Sequence, residues 1–146
     1  MDWQIVFQLI LSVLAGAVMG AEREVKKKEA GLQTYSLVSL GSCLFVIIGF
    51  NFFEVFSNAV NVSFDPSRLI LSVATGIGFI GAGVIILRQT RVEGITTAAG
   101  LWCAAAIGVA IGAKLYFLSF VSLILAVAIL SGFGILEKMF FGKENK

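Results

Sequence analysis

Five long apolar segments place the strongest constraint on how this 146-residue chain can fold. They cover approximately residues 3–21, 35–53, 69–87, 95–113 and 115–136. Each is close to the roughly 20 residues that a helix needs to cross the hydrocarbon core of a bilayer. The chain is 58% hydrophobic and only 14% charged, which is more apolar surface than a soluble core of this size can bury. The sequence therefore predicts an all-α, polytopic membrane protein, with residues 1–146 forming a single transmembrane domain of five helices.

The distribution of basic residues predicts the orientation of these helices. Nine of the eleven lysines and arginines lie in residues 22–34, in residues 88–94 or after residue 136, whereas the other two loops hold only Arg68 and Lys114. Basic loops stay in the cytoplasm. We therefore expect the N-terminus outside the cell and the C-terminus in the cytoplasm.

Small residues predict where the helices approach one another. The third segment carries Gly76, Gly78, Gly81 and Gly83 without a single charge. On a helix these glycines lie on two faces, and small residues allow close backbone contact, so we expect this segment to be the central helix of the bundle.

The fourth segment repeats small residues at four-residue spacing, including Gly100 and Gly108, and we expect this ridge to pack closely. Trp102 lies well inside that segment, which predicts that it packs within the bundle. Tyr35 stands at a segment end, where amphipathic rings prefer the membrane interface.

A faint internal repeat relates helices 1–2 to helices 3–4. The sequence LSVLAGAVMGA over residues 11–21 is similar to LSVATGIGFIGA over residues 71–82, and the loop that follows ends in GLQT at residues 31–34 in one half and in GITT at residues 94–97 in the other. Both halves would start outside the cell, which makes this a parallel repeat. Chance similarity within a restricted membrane alphabet is the alternative.

This repeat draws attention to Glu22 and Arg23. In the alignment of the two halves they fall about one helical turn inside the end of the third segment. Adjacent residues do not face each other on a helix, so each would need a partner from another helix or a polar cavity, as functional residues in membranes do. Alternatively, the first helix ends earlier and both side chains reach water.

Three further polar residues are candidates for function. Thr96 and Thr97 open a helix directly after a glycine, where a helix terminus can bind an anion or line an entrance; they could equally bond to their own helix. Arg68 lies three residues after Asp65, which favours a local cap and ion pair.

Several functions are disfavoured by composition. The chain has no histidine, and Cys43 and Cys103 form no CxxC pair, so we expect no enzyme, no cofactor and no metal site. The GxGxxG pattern of residues 76–81 lies in an uncharged span rather than after a strand, so it does not indicate dinucleotide binding. A net charge of +2 gives no indication of nucleic-acid binding.

Four sequence blocks together resemble the membrane domain of the MgtC/SapB family. They are GAER at residues 20–23, AGLQT at 30–34, GIGFIGAGVI at 76–85 and GITTAAGLWC at 94–103. The resemblance implies a multi-pass protein of the bacterial inner membrane. It also implies a connection with growth when Mg²⁺ is scarce, with survival in host cells and with restraint of the F-type ATP synthase as a partner complex.

Two departures limit what can be carried over from that family. Many members have a soluble C-terminal domain, whereas this chain ends at Lys146, and the best-known virulence members have asparagine where this chain has Thr96. Two functions follow as hypotheses for a protein expected to be embedded in the lipid bilayer as a homo-oligomer. The favoured one is a non-enzymatic regulator linked to Mg²⁺ homeostasis or stress adaptation, acting on a membrane partner. The other is an oligomeric transporter or channel for an ion or small solute.

Overall fold

The computed structural model describes residues 2–56, 65–88 and 91–133 of the chain. The described residues form five long helices: α1 (Asp2–Val25), α2 (Leu32–Phe56), α3 (Pro66–Val84), α4 (Ile95–Gly112) and α5 (Tyr116–Ala128). Helix α5 continues as a π-helical segment over Ile129–Phe133. Each of the five is long and apolar enough to cross a membrane when α5 is counted to Phe133. This confirms the predicted all-α architecture of five membrane-spanning helices.

The helices alternate in direction along the chain. Gln8 near the start of α1 contacts the end of α4, because its Nε2 donates to the carbonyl oxygens of Ile111 and Gly112 at 2.8 and 2.9 Å. Gly16, further along α1, lies against Ser36 near the start of α2. The bundle therefore has two ends. The lysine-rich end contains the turn at residues 26–31, and the Lys114 end contains the tight turn between α4 and α5.

The predicted boundaries are wrong at the end of the third segment, which was expected to remain helical to Leu87. The helix α3 ends at Val84, Ile85 is extended, and β1 (Ile86–Arg88) pairs antiparallel with β2 (Arg91–Glu93). The β-branched run from Val84 to Ile86 favours extended backbone. At the other end, α3 starts at Pro66 because Asp65 accepts a hydrogen bond from the Ser67 backbone amide at 3.0 Å.

The central helix of the single chain is α4, so the expectation that the third helix occupies this place is wrong. Half of the α4 span (50%) is buried, compared with 11% of the α3 span. The small-residue ridge of α4 explains its position, because Gly100 lies against Tyr35 and Gly108 against the backbone of Ser39. The α5 span is also only 11% buried, which agrees with its run of large apolar residues.

Two aromatic residues occupy environments that differ from the predictions. Trp102 is 55% exposed on the outside of the bundle, because buried positions of α4 such as Gly100 and Ala104 lie on the opposite face of the helix. Tyr35 was expected at an interface but is fully buried, because α2 begins three residues earlier, at Leu32, and carries it beneath α4.

The direction of the termini relative to a membrane and the internal repeat remain predictions.

Candidate functional site

A cluster of charged and polar side chains lies at the lysine-rich end, where α1 ends and both α2 and α4 begin. Its members are Glu22, Arg23 and Lys26 from the last part of α1 and the turn after it, Glu29 from that turn, Tyr35 from α2 and Thr97 from α4. The cluster forms because α1 continues to Val25, four residues beyond the predicted end at residue 21. That extension keeps Glu22 and Arg23 on the helix and directs them into the bundle.

The Glu22 carboxylate is shared between two cations. Arg23 Nε lies 2.9 Å from Glu22 Oε2, and Lys26 Nζ forms an ion pair with Glu22 Oε1. The side chains of Arg23 and Glu22 are only 4% and 13% exposed. The two adjacent residues form an ion pair with each other, a contact that their spacing on a helix did not predict. The rule against contact between neighbours on a helix concerns side chains that point apart, whereas these two bend towards each other.

This ion pair is incompletely satisfied. Within the described part of the chain, both carboxylate oxygens of Glu22 and the Nε and Nη1 of Arg23 are buried without a hydrogen-bond partner of good geometry. Burying charge is costly unless hydrogen bonds replace the lost water. A buried charged group with spare hydrogen-bonding capacity is the feature that most distinguishes a functional site from simple packing.

Lys26 links this cluster to α5. Its Nζ donates to the Leu130 carbonyl oxygen at 3.0 Å, and Leu130 lies in the π-helical segment. One lysine therefore ties the end of α1 to the last described turn of the chain.

Glu29 and Thr97 close the cluster on the side of the turn. The Thr97 hydroxyl donates to Glu29 Oε2 at 2.7 Å, and that hydrogen bond, aided by the charges of Lys28 and Arg23, holds the pKa of the Glu29 carboxyl below its ordinary value. The Tyr35 hydroxyl donates to the Thr97 carbonyl oxygen at 3.2 Å. The start of α4 is thus held from two sides.

The structure brings together only some of the predicted polar residues. Glu22, Arg23 and Thr97 meet in this cluster, whereas Thr96, on the next face of α4, is exposed. Arg68 lies at the Lys114 end, with its side chain 87% exposed and its Nε 3.8 Å from Asp65 Oδ2. Asp65 forms the local cap and Arg68 the ion pair that their spacing favoured.

The predicted packing glycines divide into two groups. Gly81 contacts Ala98 of α4, with 3.6 Å from an added Cβ to the Ala98 Cβ, and Gly100 and Gly108 lie against α2. Around Gly76, Gly78 and Gly83 an added Cβ would meet nothing within 4 Å. The second small-residue face of α3, formed by Gly76 and Gly83, therefore has no neighbour within the described chain.

That open face borders a groove between α2 and α3. The groove has a volume of about 620 Å³ and is lined mainly by apolar side chains, including Leu37, Leu69, Ile77 and Ile80. Gly41 of α2 and Gly76 of α3 both line it, and both have open space where a Cβ would be. We call this feature the α2–α3 groove.

Three members of the charged cluster were not singled out from the sequence. Lys26 and Glu29 belong to a charged loop, whose side chains are by default solvated, and Tyr35 stood at a segment end. The pattern AGLQTY gives a weak indication of these three residues, because Gly31 allows the turn to fold back onto Glu24. The Oε2 of Glu24 accepts a hydrogen bond from the Leu32 amide at 3.1 Å. The contact between Thr97 and Glu29 spans 68 residues, and no local pattern predicts it.

The fold and this site define a multi-pass helical membrane protein with a buried charged cluster at one end. A family model described as the MgtC family matches residues 9–139. The chain belongs to the MgtC family, as its sequence blocks indicated.

Several curated proteins are similar over most of this chain. The protein named "Putative magnesium transporter YhiD" of Escherichia coli is 40% identical over 134 residues, covering 91% of this chain and 62% of its own length. SapB of Bacillus subtilis is 40% identical over 84% of this chain and 53% of its own length. SrpB of Synechococcus elongatus is 37% identical over 99% of this chain and 83% of its own length. The chain thus spans less than two thirds of the first two of these relatives. No solved structure matches it significantly.

Proposed function

We propose that this protein is a non-enzymatic regulator of the bacterial inner membrane, linked to Mg²⁺ homeostasis or stress adaptation, that acts by docking on a membrane partner. Membership of the MgtC family and the name of YhiD support the connection with magnesium. The α2–α3 groove is the surface through which the partner binds.

The observation that carries this proposal is the pair of open glycines in the groove. Acyl chains adapt to side chains of any shape, so a surface that faces only lipid does not need glycine. A helix that packs closely does need it, because the missing side chain lets two backbones approach. Gly41 and Gly76 both line the groove without a neighbour at the Cβ position, which supports a helix of another protein as its occupant.

The close packing between α2 and α4 supports docking over conduction. Gly100 and Gly108 bring α4 against α2, and the α4 residues Leu101, Ala104 and Ile111 are almost completely buried there. Tight apolar packing of this kind leaves the centre of the single chain filled with side chains. Buried charge is concentrated at the lysine-rich end instead.

Affinity capture in mild detergent tests this proposal. Gly76→Leu places a side chain in the groove and should abolish recovery of the partner. Gly132→Leu is the matched control, because Gly132 also has open space at its Cβ position but lies in the π-helical segment. Equal recovery with both variants, or no partner with the wild-type protein, would reject groove docking. Gly100 and Gly108 are unsuitable for this test, since they pack inside the chain.

The second candidate function is that of an oligomeric transporter or channel. The buried Glu22–Arg23 pair favours it, because ionisable groups with unused hydrogen-bonding capacity mark ion and solute pathways. Liposomes that contain only this protein decide between the two functions. Flux of Mg²⁺ or another ion that is lost in Glu22→Gln would establish transport and displace the regulator proposal.

A further inference from the structure

The start of α4 already holds one carboxylate, which is supplied by the turn between α1 and α2. The Thr97 hydroxyl donates to Glu29 Oε2 at 2.7 Å. Thr97 is only 2% exposed, whereas Glu29 lies on the exposed turn. A buried hydroxyl is therefore satisfied by a carboxylate that reaches it from the surface.

The surroundings of this position favour an anion. Gly94, the N-cap residue of α4, makes no side-chain hydrogen bond to the first amides of the helix, and the N-terminal end of a helix attracts negative charge. The Thr97 hydrogen bond, aided by the charges of Lys28 and Arg23, holds the pKa of the Glu29 carboxyl below its ordinary value. Both cations therefore lie close enough to act on a carboxylate bound to Thr97.

Arg23 has a hydrogen-bond donor that Glu29 leaves unused. Its side chain is only 4% exposed, and its Nε lies 2.9 Å from Glu22 Oε2. Its Nη1 is buried and has no acceptor among the described residues. A buried donor without an acceptor is unfavourable, so a ligand that supplies an acceptor to Nη1 would be stabilised by it.

The other two carboxylates at this end are engaged away from Thr97. Glu22 is paired with Arg23 Nε and with Lys26 Nζ. Glu24 Oε2 accepts a hydrogen bond from the Leu32 amide at 3.1 Å. A ligand that takes the place of the Glu29 carboxylate must therefore restore the single negative charge that it displaces, which favours a monoanion over a neutral molecule.

We propose that the start of α4 binds a small carboxylate anion, which replaces the Glu29 carboxylate at Thr97 and also accepts a hydrogen bond from Arg23 Nη1. A carboxylate has two oxygens, one for each of these donors. Its binding releases Glu29 and thereby unties the turn between α1 and α2 from α4. Because Glu29 is tethered, it competes at an effective concentration on the order of a millimolar, so the wild-type protein responds only to carboxylates that are abundant.

Saturation-transfer NMR of the full chain in phosphatidylcholine nanodiscs tests the proposal. The probes are acetate and L-lactate. Acetamide has the shape of acetate without its charge, and phosphate represents a different class of oxyanion. We expect both carboxylates to bind at least about tenfold more tightly than acetamide or phosphate, because a charge-assisted hydrogen bond contributes roughly that factor.

Substitutions locate the binding and reveal the competition. Glu29→Ala removes the competing carboxylate and should tighten acetate binding about tenfold. When combined with Glu29→Ala, Thr97→Val should weaken acetate binding about tenfold, because the hydroxyl donor is lost. Thr96→Val in the same background is the matched control and should leave the binding unchanged, because Thr96 is exposed and lies outside the cluster.

A further variant removes the other donor. Arg23→Lys keeps a positive charge beside Glu22 but lacks Nη1, and it should also weaken acetate binding. Circular dichroism verifies that each variant is folded, and Arg23→Lys replaces Thr97→Val as the test if the latter is not.

Four results would overturn the carboxylate site. They are the absence of acetate and lactate binding to the wild-type protein, no tightening in Glu29→Ala, binding of acetamide or phosphate at least as tight as that of the carboxylates, and equal effects of Thr96→Val and Thr97→Val. The site does not involve the α2–α3 groove, so none of these results bears on partner docking.

Discussion

Replacement of single glycines by alanine distinguishes the helix that supports the bundle from the one that leaves a face open. At Gly108 an added Cβ would contact the Ser39 backbone oxygen and lie 3.0 Å from both the carbonyl carbon and the Cα of Ser39. All three atoms belong to backbone, so no side chain can rotate away. The whole of α4 must move from α2 by several tenths of an ångström or more to restore normal contact distances.

The expected cost of this displacement follows from the packing that it disturbs. Overpacking of a well-filled core costs about 1–3 kcal/mol, and α4 is the most buried helix of the described chain. We therefore expect Gly108→Ala to reduce the free energy of unfolding by about 2 kcal/mol. Gly76→Ala should be neutral or stabilise the protein by up to about 1 kcal/mol, because the site is open and alanine favours helix.

Reversible unfolding in mixed micelles of a mild detergent and dodecyl sulfate, followed by circular dichroism, measures both values under the same conditions. The reasoning is refuted if Gly108→Ala is as stable as the wild-type protein. It is equally refuted if Gly76→Ala is destabilised as much as Gly108→Ala, because α3 would then have a close neighbour that the structure does not contain.

Three further predictions use the same unfolding assay. Arg23→Gln should lower the free energy of unfolding by about 3 kcal/mol, because it leaves the buried Glu22 short of a partner. Arg68→Gln should lower it by less than about 1 kcal/mol, because Arg68 is exposed. Similar losses in the two variants would contradict the assigned burial. Thr97→Val should cost about 1 kcal/mol at neutral pH through loss of the Glu29 hydrogen bond. Folding lowers the Glu29 pKa, so the stability difference between Thr97→Val and the wild-type protein is fully present above the ordinary glutamate pKa and disappears as the pH falls through the lowered one. A stability difference that persists in acid would show that it comes from packing instead. Gly94→Ala should lower the free energy of unfolding by at least about 1–2 kcal/mol, because φ is 90° there and an added Cβ would also collide with the Val84 carbonyl group; no loss would contradict this backbone conformation.

The number and positions of the helices could be predicted because hydropathy over twenty residues depends on composition alone. Details that depend on contacts between distant residues could not. The open face of Gly76 and the packed one of Gly108 carry the same residue type, and only the positions of neighbouring helices distinguish them. This is why the sequence predicted the wrong central helix.

The candidate site was predicted only in part, because some of its members are brought together by contacts between residues far apart in the sequence. Glu22 and Arg23 stood out because the alignment of the two halves placed them about one helical turn inside an apolar segment, and the structure leaves their side chains only 13% and 4% exposed. Thr97 could be recognised only as a helix-opening residue, since its partner Glu29 is 68 residues away. The α2–α3 groove needs the relative positions of two helices, which no periodicity within either helix supplies.

Photo-cross-linking in native membranes tests the proposed docking most directly. A benzophenone amino acid replaces Gly41 in the α2–α3 groove or, as a control, Leu125, which is 58% exposed on α5. Docking predicts a discrete adduct with one other membrane protein from position 41 and none from position 125. An absence of protein adducts at position 41, or an adduct only between two copies of this chain, would contradict it.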